Sequence, residues 1–126
     1  LRTHHVGNVI VIKETAGNVT PIGVVTDRDI VVEVVAAKVD PGALTAGEMM
    51  GQALVTARET EGSYEVLERM RREGIRRMPV IDENGALIGI VTLDDLLEIV
   101  AEEMNEMAKV ISRERLREEH SRGRKQ

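Results

Sequence analysis

The sequence predicts an α/β chain of the α+β type, made of two related halves that share a core. Three observations predict it. The segment Gly23-Val-Val-Thr-Asp-Arg-Asp-Ile30 returns as Gly89-Ile-Val-Thr-Leu-Asp-Asp-Leu96. Each copy follows an apolar strand, Val9–Ile12 in the first half and Met78–Ile81 in the second. The 126 residues, 42% of them hydrophobic, suit one compact domain or two small repeats around a common core. Similar units of this kind stack and create related clefts between them. The copies are offset by 69 positions at the first strand (Val11 to Val80) and by 66 at the threonine (Thr26 to Thr92), so the first carries a turn three residues longer.

The elements follow in order. The opening Leu1-Arg-Thr-His-His-Val-Gly corresponds to Met70–Ile75, a helix end in the second copy; the first copy is thus expected to lack its first strand and most of its first helix. Val9–Ile12 is a β-branched strand without polar alternation, which reads as buried on both faces. Thr15–Pro21 has turn chemistry, Ile22–Thr26 is a strand, and a helix runs from about Asp27 to Ala37. Asp40-Pro-Gly42 breaks the chain, and Thr45-Ala-Gly-Glu48 has the spacing of a capping box. The second copy supplies strand 53–57, helix 63–73 stopped by Gly74, strand 78–81, a hairpin turn at Asp82–Gly85, strand 87–92 and a helix from Leu93. That last helix outruns its counterpart. Leu97, Val100, Met104, Met107 and Ile111 repeat at spacings of 3, 4, 3 and 4, a seam that can pack on its own repeat or on a second chain. The expected organisation is residues 1–44, residues 45–100, and a helical extension with a basic tail over 101–126.

Composition excludes several classes. Cysteine is absent, which removes disulfides, thiolate catalysis and cysteine zinc sites. One Tyr with no Phe or Trp argues against base stacking on single-stranded nucleic acid. The net charge of −5 also argues against nucleic acid as a partner for the body of the protein, although residues 113–126 hold six basic and three acidic groups. That end reads as a solvated tail or as a contact for an anionic partner. No apolar run approaches the ~20 residues of a membrane span, and a cytoplasmic protein is expected. His4 and His5 are adjacent and point apart, reading as one exposed and one packing residue. No metal site and no catalytic grouping is expected, so the chain reads as a non-enzyme.

Thr26-x-x-Asp29 and Thr92-x-x-Asp95 each sit where a strand becomes a helix. One reading is a helix cap, in which the threonine satisfies free N–H groups and the acid reaches back. The other is a nucleotide site. A helix N-terminus with a hydroxyl suits phosphate, and a carboxylate three residues on can accept ribose hydroxyls. Gly23 and Gly89, three residues before each threonine, remove bulk beside the strand end. Arg28 in the first copy favours phosphate where Asp94 in the second repels it. Arg76 and Arg77 stand where the first copy has Gly7 and Asn8. The two clefts are therefore expected to be unequal, with the one using Thr26, Arg28 and Asp29 holding a phosphate-bearing ligand better.

These residues resemble a pair of CBS (cystathionine β-synthase) domains, the tandem called a Bateman module, of the small stand-alone prokaryotic type. The family pattern is β-α-β-β-α, ending in Gly-apolar-apolar-Ser/Thr-x-x-Asp. The second copy fits it from about Ala53 to Val100 and the first from His4 to about Ala37. The resemblance implies two repeats packed with pseudo-two-fold symmetry and a regulatory sensor of AMP, ADP, ATP or S-adenosylmethionine, with no cofactor required. By position, it assigns Thr26, Arg28 and Asp29 with Gly7 and Asn8 to one site, and Thr92 and Asp95 with Arg76 and Arg77 to the other. Val6, Ile75 and the Gln52–Thr56 stretch, Thr56 included, become candidate adenine contacts. It also implies a homodimer, through the module face or the C-terminal helix. An interaction module with vestigial ligand sites is the alternative.

Overall fold

The computed structural model describes residues 1–50 and 54–124. The chain divides into two units, Leu1–Val91 and Thr92–Gln126.

In the first unit, strands β1 (Asn8–Thr15) and β2 (Asn18–Thr26) form an antiparallel hairpin. Its turn is only Ala16-Gly17, with φ of 51° and 82°. Two successive left-handed residues match the twist of the flanking strands. The turn expected over Thr15–Pro21 is thus shorter, because Thr15 pairs with Asn18 and Pro21 pairs with Ile12 inside the sheet. Proline is accommodated there because the register slips between Val11 and Ile12, a bulge that relieves the ladder of the missing N–H donor. A second correction concerns Val9–Ile12. Val9 and Ile12 are exposed and Ile10 and Val11 half-buried, so neither face of β1 is fully covered by packing elements.

The helix expected from Asp27 to Ala37 begins as α1 (Asp27–Ile30) and continues as a π-helical stretch, Val31–Ala36. Four valines in that stretch disfavour regular α-helix by crowding at χ1. Val34 is buried, whereas Val31, Val32 and Val35 are exposed. A 3₁₀ turn, Pro41–Ala43, is capped by Asp40, whose Oδ1 accepts from Gly42 N at 3.0 Å. The one-turn helix α2 (Ala46–Met49) carries the expected capping box, with Thr45 N donating to Glu48 Oε2 at 2.7 Å.

Strand β3 (Ala57–Arg58) is shorter than the expected strand 53–57; Ala53 of that strand, and Gln52 of the expected adenine contacts, lie outside the described residues. It pairs parallel with β4 (Arg77–Ile81), which lies between β3 and β5 (Leu87–Thr92). Helix α3 (Ser63–Glu73) turns Val66 and Met70 inward and ends at Gly74, which adopts φ 66°. Asp82 organises the β4–β5 turn, its Oδ1 accepting from Asn84 N and Ala86 N, both at 2.9 Å. Among the described residues of this unit, Val25, Val34, Ala57, Val66, Met70 and Met78 are buried, as are Pro21 and Pro79. Methionine fills space that aromatic side chains take elsewhere.

The second unit is dominated by α4 (Leu93–Gly123), 31 residues long. Among the described residues, no helix is long and apolar enough to cross a membrane.

Candidate functional site

Where β2 runs into α1, Thr26 N donates to Asp29 Oδ2 at 2.8 Å and Asp29 N donates to Thr26 Oγ1 at 3.1 Å. This is the reciprocal cap foreseen from the Thr-x-x-Asp spacing. Thr92 and Asp95 repeat it at 2.9 and 3.1 Å. The Thr92 hydrogen bonds, the backbone one foremost, hold the Asp95 carboxyl below its ordinary value. Both motifs therefore have a local structural role.

Beside the first cap lies a cavity of about 490 Å³, within the range of small-molecule sites. One wall is apolar: Val24, Leu54, Val55, Ile75 and Pro79. The rest is Gly7, Gly74, Thr26, Asp27 and three arginines, Arg28, Arg76 and Arg77. Aliphatic side chains and three guanidinium groups therefore line one cavity beside the start of α1.

Each side chain arrives there for a local reason. Asp27 N donates to Gly7 O at 2.9 Å, which fixes the entry of β1 against the first turn of α1. A Cβ at Gly7 would stand 3.5 Å from Asp27 Oδ2. Asn8, oriented with its amide oxygen toward the guanidinium, accepts from Arg77 Nε at 2.9 Å and also from Nη1. The Leu54–Thr56 segment is tied down by Arg69, whose Nη1 donates to Thr56 O at 2.7 Å. Arg69 in turn grips Glu61 with two hydrogen bonds of 2.7 and 2.9 Å. Those bonds lower the Glu61 carboxyl and raise the guanidinium from their ordinary values.

Of the residues expected in ligand sites, Gly7, Thr26, Arg28, Leu54, Val55, Ile75, Arg76 and Arg77 line this one cavity. Arg76 and Arg77, expected in a site with Thr92 and Asp95, share this cavity with Thr26. Val6, Asn8, Asp29 and Thr56 do not line it, and Thr92 and Asp95 belong to the second unit. Asn8 sits behind Arg77, Asp29 behind Thr26, and Thr56 contributes only the carbonyl that Arg69 holds. Sequence reasoning missed Asp27, although it is an acid at the first helical position beside the cap threonine. His4 and His5 are both exposed, so neither packs. No cluster of three or more metal-ligating side chains occurs among the described residues.

The glycines that precede the two threonines differ. A Cβ at Gly23 would collide with Met50 Sδ and lie 3.0 Å from Met50 Cβ and Cγ, whereas one at Gly89 meets nothing within 4 Å. Only the first is required by packing.

The family model of the CBS domain matches residues 46–102. The crystal structure of Hypoxic Response Protein I, a protein of Mycobacterium tuberculosis, superposes with a TM-score of 0.66 at 35% identity, covering 77% of this chain and 75% of that one. The chain belongs to the CBS-domain family. That structure holds two coordinated zinc ions. The CBS-domain protein of Pyrobaculum aerophilum in complex with AMP superposes with a TM-score of 0.65 at 27% identity, covering 79% of both chains. An uncharacterised protein of Methanopyrus kandleri is 38% identical over 99 residues, which are 79% of this chain and 49% of that protein. The CBS chain described here spans about half the length of curated relatives such as this one.

Proposed function

We propose that this CBS chain is a non-catalytic regulatory module whose Thr26 cavity takes an adenosine-containing ligand, AMP, ADP, ATP or S-adenosylmethionine. One observation carries the reading: three arginines and the Thr26 cap share a cavity with five aliphatic residues. The adenine lies against Val24, Val55, Ile75 and Pro79. Arg28, Arg76 and Arg77 take the phosphate, or the carboxylate of S-adenosylmethionine, by charge-assisted hydrogen bonds. Thr26 and Asp27 face the ribose, with Asp29 holding Thr26 from behind and Asn8 holding Arg77. The AMP in the Pyrobaculum structure supports this choice of ligand class. Thr92 and Asp95 mark a second, weaker cleft, and Val6 and Thr56 serve as framework. Residues 1–44 and 45–100 act as the two halves, and the protein works as a homodimer whose geometry the ligand biases through differential affinity.

Titration calorimetry with AMP, ATP and S-adenosylmethionine tests the reading. Binding to the wild type and a roughly ten-fold loss in Arg28→Ala support it, a size in keeping with one charge-assisted contact. Absence of heat with all three ligands rejects it. In that event the second reading, an interaction module, gains. Its support is that the Thr26–Asp29 pair serves a capping role with the same geometry as Thr45–Glu48.

A further inference from the structure

We propose that α4 pairs antiparallel with α4 of a second copy of this chain, through the seam Leu97, Val100, Met104, Met107 and Ile111. The inference rests on the dimer part of the reading above and is independent of its ligand part. Those five side chains share one face of the helix and are 40–63% exposed. At 1.5 Å per residue the seam runs roughly 21 Å. An apolar stripe of that length on a solvated helix is covered by another element with the same periodicity.

The distribution of charge selects the partner and its direction. From Leu93 to Ala108 the helix carries six acidic residues and no basic one. From Lys109 to Arg124 it carries six basic and three acidic residues. A parallel pair would lay acid on acid and base on base. An antiparallel pair centred on Met104 lays Asp94, Asp95 and Glu98 of each helix over the Lys109–Arg115 stretch of the other, within a Debye length of about 8 Å, while residues 100–108 face their own counterparts. With Met104 at the centre, Leu97 faces Ile111 of the second copy, and Lys109 and Arg113 approach its Asp95 and Glu98. Ala101 and Ala108 flank the seam and let the backbones come close. At Glu114 the seam turns polar, and the apolar contact ends there.

The absence of native cysteine permits a direct test on the full chain. Leu97→Cys and Ile111→Cys are purified separately, mixed and oxidised. A mixed disulfide formed in preference to either self-linked product supports the proposal. Self-linking of Leu97→Cys overturns the antiparallel direction. Sedimentation equilibrium adds the energetic arm: Met104→Glu with Met107→Glu weakens the dimer at least ten-fold, with helix content unchanged by circular dichroism. A dimer of unaltered affinity in that variant overturns the role of α4 and leaves the module face as the dimer contact. A monomer at every concentration overturns the dimer itself, while calorimetry reports on the ligand reading separately.

Discussion

Asn8 at the start of β1 accepts a hydrogen bond from Arg77 at the start of β4, and the two residues stand 69 positions apart, the offset of the first-strand repeat. Equivalent positions of the two halves therefore touch. The relation that makes the sequence repetitive is also what closes the cavity, because Arg77 is braced from the opposite copy. Asn8→Ala removes that brace without touching the ligand. Affinity for the nucleotide is expected to fall several-fold, about 1 kcal/mol, since hydrogen bonds to charged groups run near this value or above. Calorimetry on Asn8→Ala checks it, and an unchanged dissociation constant counts against the brace.

The paired glycines separate packing from motif. Gly23→Ala pushes a methyl group into Met50 and is expected to destabilise the fold by about 1–3 kcal/mol, the usual cost of overpacking. Gly89→Ala meets open space and stays within about 0.5 kcal/mol of the wild type. Urea denaturation of the two variants side by side reads the difference.

Arg69 holds Thr56 and Glu61 together and so fixes the Leu54–Val55 wall of the cavity. Arg69→Ala is expected to cost about 1–2 kcal/mol of stability, given partial exposure of the pair. Arg69→Lys recovers little, because an ammonium cannot reproduce the two-pronged grip. Thermal unfolding of both variants provides the measurement.

Stability should fall toward acid. Glu61, Glu48 and Asp95 are all held below their ordinary values by hydrogen bonds in the folded state. A depressed folded pKa contributes stability that is fully present above the unfolded value, near pH 4–5, and is lost as pH falls through the folded value. Urea midpoints are therefore flat from pH 7 to about 5 and decline below it. Glu61→Gln makes the decline shallower, and an equal slope in that variant excludes Glu61 as a contributor.

The capping boxes at Thr26, Thr45 and Thr92 were legible in the sequence because they are made within four residues, where side-chain reach and helix geometry leave one arrangement. The turn at Asp82–Gly85 and the stop at Gly74 were legible for the same reason. The exposure of β1 was not. Four consecutive β-branched residues read as buried on both faces, yet burial depends on which elements from elsewhere in the chain pack over each face of the strand.

The cavity divides along the same line. Thr26, Arg28 and the repeat that foretells a cleft are properties of sequence alone, since a duplicated strand–turn–helix unit has to bury its faces somewhere. That Arg76 and Arg77 join Thr26, that Asp27 enters the cavity while Asp29 stands behind, and that Asn8 braces Arg77 were decided by tertiary structure. Such contacts join residues tens of positions apart. Their geometry is set by how the two halves of the first unit pack, and no local spacing encodes it.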